Sequence, residues 1–267
     1  MLSVILFSAL SLQSVYSQPL LVENFDYPSG TDLGTVGWTV HSGTENPITV
    51  TVPGLSFHGY PLSDIGGAAL LDANYIDVNK PFPVQTEGSV YIAFMVNVKS
   101  GADGHFLHLG KNPFSTTVLF GRVWIKPSGS NWVFGLSKSS NTPVVDTDPI
   151  ALDTAYFMVL KYEIVEGSSN DVVSLFYFNF LESIPTTEPT TPDLLAPDLT
   201  GTDNNPGAIA LRQFNELHNI QVDGIRIATS WADAVTAEFS LEDNDPPVFT
   251  SGYPAVANID ATQADLE

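Results

Sequence analysis

The stretch FGRVWIKPSG, residues 120–129, carries side chains suited to binding a sugar. In an extended strand, successive side chains point to opposite faces, so Arg122, Trp124 and Lys126 share one face. Val123 and Ile125 then face the core. A Trp ring beside cationic donors can stack on a sugar ring or grip an acidic glycan. We therefore predict a ligand-binding surface here; the alternative is that a loop covers the Trp ring and that the cations pair with nearby acids.

Two acidic segments could hold calcium, which binds carboxylate and carbonyl oxygens. Asp203 lies in GTDNNPG, residues 201–207, and Asp243 and Asp245 lie in LEDNDPP, residues 241–247. Both segments are also ordinary turn and linker sequences, which need no metal. Calcium is therefore the one cofactor that the sequence suggests, and none is required.

The carboxylates do not form a recognisable catalytic pair. A glycosidase needs two carboxylates that face one cleft. Glu163 and Glu166 are three residues apart on a predicted strand, which places them on opposite faces. Asp146 and Asp148 have a suitable spacing, but Pro149 follows them and indicates an edge or a turn.

The histidines and the known catalytic motifs also give no support for catalysis. His105 and His108 are also three apart, so we predict that they face opposite sides of a strand and share no zinc ion. The sequence contains no Gly-x-Ser-x-Gly elbow, no P-loop and no Cys nucleophile. These observations favour binding over catalysis.

The charge balance limits the partners. Thirty acidic residues against nine basic ones give a net charge of -21, which repels nucleic acid and anionic lipid. The chain has no Cys and so no disulfides, which in an exported protein fits a bacterial source.

The middle of the chain reads as β-strands throughout. Runs rich in Val, Ile, Phe and Tyr alternate with Gly, Ser, Asn and Pro turns, and residues 166–171 form a polar loop between two long apolar strands. Many antiparallel strands must pack as two sheets to hide their apolar faces. We predict an all-β, two-sheet antiparallel jelly-roll sandwich, in which Ser183 to Gly207 is a long loop and the strands after it return to the same sandwich.

The two ends of the chain differ from this middle part. Residues 1–17 resemble a signal peptide, and their apolar run is too short to span a membrane, so we expect a secreted or cell-surface protein. The sandwich domain is assigned to residues 18–240 and a Pro-stiffened linker to 241–247. Residues 248–267 then begin a new β pattern that stops, as at the start of a second domain.

The stretch VDGIRIATSWADAV, residues 222–235, is predicted to be structural. Ile225 and Ile227 alternate with Arg226 and Ala228, as expected for the last core strand. We expect the arginine to pair with Asp223 or a loop carboxylate. Trp231 is expected to close the end of the core.

Several segments together suggest a family. LLVENFDYPSGTDLG, YFMVLKYEIVEGSSNDVVSLF, ALRQF and VDGIRIATSWADAV resemble the laminin-G-like, concanavalin A-like modules of large bacterial surface proteins, including many exported by the type IX route. DPPVFTSGYP resembles the entry to the immunoglobulin-like repeats that often follow such modules. The resemblance implies a fold and no active site, because such modules occur in proteins of many functions.

The functional prediction is an exported, non-catalytic module that binds a glycan or another extracellular ligand, such as a surface protein. One alternative is a structural spacer that presents a downstream domain. The other is a glycoside hydrolase built on the same sandwich.

Overall fold

The structure, a computed structural model, describes residues 18–236. The predicted signal peptide, the linker 241–247 and the second domain from 248 lie outside the described residues, as do Asp243 and Asp245. The described strands, in chain order, are β1 Leu21–Glu23, β2 Thr39–Ser42, β3 Thr49–Thr51, β4 Ala68–Leu71, β5 Asp77–Pro81, β6 Gly88–Ser100, β7 Gly104–Gly110, β8 Phe120–Ser128, β9 Asn131–Ser137, β10 Val144–Val145, β11 Ala155–Ile164, β12 Val172–Asn179, β13 Leu194–Leu195, β14 Ala208–Arg212 and β15 Asn219–Ala228. A 3-10 helix, Leu33–Thr35, and one short α-helix, α1, Trp231–Val235, are the helices of this region.

The strands form two sheets in which the paired strands run antiparallel. The eight-stranded sheet has the order β13-β12-β11-β6-β15-β4-β3, with β1 pairing along β15. The seven-stranded sheet has the order β10-β9-β8-β7-β14-β5-β2. The predicted fold class, a two-sheet antiparallel jelly-roll sandwich, is therefore confirmed.

The main core lies between the two sheets. Val123 and Ile125 of β8 belong to it, as the period of two predicts, and so do Ile225 and Ile227 of β15. Aromatic residues such as Phe94 are fully buried beside them. Burial of these apolar faces supplies the main free energy that holds the sheets together.

A second apolar cluster covers the other side of the eight-stranded sheet. Trp231 of α1 packs there on Phe176 and Tyr91, with ring centroids 5.1 and 6.4 Å apart. Its indole Nε1 donates a hydrogen bond to the carbonyl oxygen of Pro185 at 2.8 Å. Trp231 is therefore buried, as expected, but it packs in this second cluster and not at the end of the main core, where it was predicted.

The prediction that Arg226 pairs with Asp223 or a loop carboxylate was wrong. Its Nε donates to the backbone carbonyl oxygen of Asp233 at 2.5 Å, so it holds the end of α1 through the main chain. The Asp223 carboxylate instead accepts the backbone N–H groups of Leu55 and Gly224, at 2.6 and 2.5 Å. Burial raises the pKa of Asp223 to about 7.

The long connection from residue 183 to 207 is a loop, as predicted, and it is fastened to the sandwich. It contributes only the two-residue strand β13, which pairs with β12. Asp198 accepts the backbone N–H groups of Lys138, Ser139 and Ser140, at 2.7, 2.6 and 2.7 Å. The strands that follow, β14 and β15, return to opposite sheets of the same sandwich. Neither helix in residues 18–236 is long and apolar enough to cross a lipid bilayer.

Replacing Trp231 by Ala should destabilise the protein by roughly 3–5 kcal/mol, because the ring is only 4% exposed and its removal leaves a cavity. Chemical denaturation would measure this. The control is Leu181→Ala, where the side chain is 80% exposed and the expected change is small. Equal effects of the two substitutions would show that the second cluster contributes little to stability.

Candidate functional site

The outer face of the seven-stranded sheet, turned away from the main core, gathers histidine, arginine and tryptophan side chains. The register places His105 of β7 opposite Trp124 of β8, and His108 opposite Ala210 of β14. Arg212 lies two residues along β14 from that alanine, so both point away from the core. The outer cluster is defined as His41, His105, His108, Arg122, Trp124 and Arg212.

A β-bulge in β7 brings two of these histidines together. The prediction that His105 and His108 face opposite sides of the strand was wrong, because the pairing with β8 shifts register between residues 105 and 107. Phe106 and Leu107 both enter the main core, and the extra residue returns the second histidine to the outer face. The two imidazole centroids are 5.4 Å apart in an edge-on arrangement.

A second irregularity, in β2, places His41 on the edge of the cluster. The pairing with β5 shifts between Val40 and Ser42. The His41 ring lies 4.3 Å from the ring of Phe114 and 6.3 Å from that of His108. Sequence reasoning missed His41, since nothing in its neighbourhood marks a bulge.

His105 is the most unusual member of the cluster. Its ring is 5.0 Å from Trp124 at an interplanar angle of 62°, and its side chain is only 6% exposed. Both ring nitrogens are buried without a hydrogen-bond partner among the described residues. Because buried polar atoms are normally hydrogen-bonded, these nitrogens are groups that ordered water or a ligand can satisfy.

The three histidines are neutral in the folded protein near pH 7. Burial lowers the pKa of His41 to about 4 and that of His108 to about 3. Burial also lowers the pKa of His105, with smaller contributions from His108, Arg212 and Arg122. A neutral imidazole has one donor and one acceptor nitrogen, which matches the hydroxyl groups of a sugar.

The three residues predicted to bind a ligand lie on neighbouring positions of β8 but differ in exposure. Trp124 and Arg122 point to the outer face, yet they are buried there, with 7% and 9% exposure. The indole Nε1 donates to Ser137 Oγ at 3.0 Å. Lys126 is partly exposed and donates to both carboxylate oxygens of Asp103, at 2.5 and 2.7 Å. Trp124 therefore forms a wall of the cluster, fixed by its neighbours, and Lys126 forms its edge.

Arg122 and Arg212 bring positive charge to the cluster. Burial, followed by the neighbouring Arg212 guanidinium, lowers the pKa of Arg122. Arg212 lies 3.9 Å from the Asp77 carboxylate and 4.6 Å from the centroid of Phe214. Burial raises the pKa of Asp77 to about 6 even though this arginine opposes the change. Arg212 belongs to the ALRQF segment, where the alternation with Leu211 marks it as outward-facing.

The predicted calcium ligand Asp203 lies elsewhere, in an internal ion pair. Its Oδ1 accepts a hydrogen bond from Lys138 Nζ at 2.5 Å and from the backbone N–H of Asp171 at 3.0 Å. Both of its oxygens lie 3.1 Å from the backbone nitrogen of Asn170. Calcium at Asp203 would compete with an ammonium group for the same oxygen. Within residues 18–236, no three His, Cys, Asp or Glu side chains are grouped as a metal site would require.

The carboxylates considered for glycosidase chemistry also have structural partners. Asp146 accepts a hydrogen bond from the Tyr177 hydroxyl and, through Oδ1, from the backbone N–H groups of Thr147 and Asp148. Asp148 lines a pocket with Tyr177 and Asp193. This pocket is formed by elements other than the strands of the outer cluster.

Comparison with known proteins finds no matching family model and no matching curated relative. Solved structures with a similar fold include the globular domain of T. cruzi calreticulin, at 13% identity and a TM-score of 0.49, covering 80% of this chain and 89% of that one. The catalytic domain of a glycoside hydrolase family 131 protein from Coprinopsis cinerea is similar at 11% identity and a TM-score of 0.48, covering 83% and 99%. Domain 4 of an extracellular arabinanase from Geobacillus stearothermophilus, solved in complex with arabinotriose, is similar at 14% identity and a TM-score of 0.40, covering 82% and 94%. At these values the similarity concerns the fold alone, and no ligand or activity follows from it.

Replacing Asp203 by Asn should destabilise the protein by roughly 3–5 kcal/mol, because it leaves the fully buried Lys138 ammonium without its counter-charge. The matched control is Asp153→Asn, whose carboxylate is 74% exposed and lies 4.0 Å from Lys99, so the expected change is small. Urea denaturation with calcium and with a chelator would measure both variants. A calcium-dependent stabilisation that is lost only in the Asp203 variant would contradict the assignment of Asp203 as a purely internal ion-pair partner.

Stability should fall as the pH drops from 7 to 5. The unfolded chain binds protons at histidines near the ordinary pKa of 6.5, whereas folded His41 and His108 stay neutral until about pH 4 and 3. His105, whose pKa is also lowered, acts in the same direction. His105→Gln should therefore flatten the dependence of unfolding free energy on pH by up to about 1.4 kcal/mol per pH unit.

Asp223 should change the pH dependence of stability in the direction opposite to the histidines. Because its folded pKa is raised to about 7, the folded state gains a proton there as the pH falls, and this offsets part of the histidine effect. Asp223→Asn should make the slope between pH 7 and 5 steeper. Unchanged slopes in both variants would show that these groups do not control the pH dependence.

Proposed function

We propose that the chain is an exported, non-catalytic sandwich module that binds a glycan on the outer face of its seven-stranded sheet. The observation that carries the proposal is the outer cluster, in which the buried ring nitrogens of His105 have no described partner. Trp124 lies 5.0 Å from this ring and supplies an apolar wall, and Arg122 and Arg212, on the flanking strands β8 and β14, supply cationic donors. Aromatic walls with a few polar groups are typical of carbohydrate sites.

The placement of the cluster also supports binding. Its residues come from β2, β7, β8 and β14, which belong to one sheet and are held by the main core on their other side. A rigid platform lowers the entropy cost of binding, because few side chains must be ordered when the ligand arrives. The same proposal includes export, attachment to a larger surface protein and a following immunoglobulin-like repeat. These parts of the proposal depend only on the sequence segments that resemble a signal peptide, laminin-G-like modules and the entry to such repeats.

A glycan array with the whole chain tests this function. His105→Ala should weaken retention on the bound glycan about three- to tenfold, the loss expected for one or two hydrogen bonds. The matched control is His58→Ala, since His58 is exposed on a loop beside the second cluster and should leave retention unchanged. Melting temperatures of both variants separate a binding defect from a folding defect.

Three results would contradict the proposal. Retention of no glycan would favour the structural spacer. Equal retention by the His105 variant would place the site elsewhere on the molecule. Release of reducing sugar from a polysaccharide would show that the chain is an enzyme.

A further inference from the structure

The outer face of the seven-stranded sheet is rich in cations for so acidic a chain. Arg122, Lys126 and Arg212 all lie there, and they are three of only nine basic residues in a protein of net charge -21. Arg212 Nη1 lies 3.5 Å from the His105 carbonyl oxygen, and Arg122 lies on β8 two residues from Trp124, the register partner of His105. Basic residues are thus concentrated on this face relative to the rest of the chain.

The three cations differ in how well their charge is balanced. Lys126 has a two-oxygen contact with Asp103, and Arg212 has Asp77 at 3.9 Å. Arg122 has no carboxylate within 4 Å in the part of the chain that the structure describes. Its guanidinium donates instead to neutral oxygens, the Leu119 carbonyl at 3.2 Å and Asn141 Oδ1 at 2.7 Å.

A buried guanidinium without a carboxylate in direct contact is costly, and the fold retains one at Arg122, which is 9% exposed and has only the longer-range charge of Asp198 to oppose its own. Guanidinium groups bind carboxylates through two parallel hydrogen bonds, and these are among the stronger polar contacts in proteins. An anionic group on a ligand would supply a counter-charge in direct contact with Arg122. The neutral His105 ring, which packs on Trp124, has one donor and one acceptor nitrogen, and sugar hydroxyls can satisfy both.

We infer that the outer cluster selects a glycan that carries a carboxylate, that is, a uronic acid residue, with Arg122 on the carboxylate and His105 on a neighbouring hydroxyl. This inference rests on the proposed glycan-binding function and adds the chemical class of the sugar. Arg212 supplies a second positive charge from β14, while Lys126 remains engaged with Asp103.

The test compares short uronate oligosaccharides with the same oligosaccharides after methyl esterification, which removes the charge and keeps the sugar. Short chains avoid the repulsion that a long polyanion would meet from the acidic protein, and 0.15 M salt limits its range to about 8 Å. Calorimetry with the whole chain should give an affinity at least about tenfold higher for the acid form than for its ester.

Variants locate the contact. Arg122→Gln should remove most of the preference for the acid form, and Arg122→Lys should restore only part of it, because an ammonium lacks the planar fork of donors. Lys161→Gln is the matched control: Lys161 lies on the outer side of the eight-stranded sheet, where it pairs with Glu163 at 3.2 Å and Glu188 at 2.9 Å. It should leave the preference unchanged.

The outcomes separate the inference from the function on which it rests. Equal affinity for acid and ester forms would overturn the uronate inference and leave glycan binding standing. No binding to any acidic or neutral glycan would overturn both. If Arg122→Gln fails to fold, the comparison of acid and ester on the unaltered protein still decides. A preference that survives Arg122→Gln in a folded variant would remove Arg122 from the site.

Discussion

The pairing of β6 with β15 in the middle of the eight-stranded sheet is the contact on which the rest of the structure depends. Both strands are buried on both faces, so neighbouring residues such as Ile227 and Ala228 enter different apolar clusters. One face contributes to the main core between the sheets, and the other supports Trp231 and α1. The paired strands β6 and β15 therefore separate and support the two apolar clusters, and the other strands extend the sheet on either side of this pair.

The two sheets differ in how their outer faces are covered. The chain covers the eight-stranded sheet with apolar clusters on both sides, whereas the described apolar core meets the seven-stranded sheet only on its inner side. The outer side of that sheet instead buries polar groups, including His105, whose nitrogens lack described partners. Each such group costs about 1–3 kcal/mol when it stays unsatisfied. Ordered water or a ligand supplies hydrogen bonds to such groups in folded proteins.

The parts that were predictable from the sequence are those governed by the period of two. It placed Val123 and Ile125 in the core and predicted the sandwich, because alternation is a local property of each strand. It misplaced His108, because a bulge changes the phase of the alternation; the adjacent apolar residues Phe106 and Leu107 were the available sign. Contacts between distant segments, such as that of Asp203 with Lys138, 65 residues away, depend on how loops fold back and have no local signal. The burial of Trp124 on the outer face is of the same kind, since the period of two gives its direction and says nothing about what covers it.

The charge distribution acts on two length scales. At distances beyond the screening length of about 8 Å at physiological salt, an approaching anion is shielded from most of the acidic surface. At contact, the sign of the interaction is set mainly by the nearest groups, and the groups in contact with the Arg122 guanidinium are neutral oxygens, with Asp198 acting at longer range. The screened acidic surface therefore has little effect on the approach of a small anion, while the local cations determine how strongly it is held. An acidic protein can in this way bind an acidic sugar, provided that the sugar carries its charge on one or a few residues rather than along an extended polyanion.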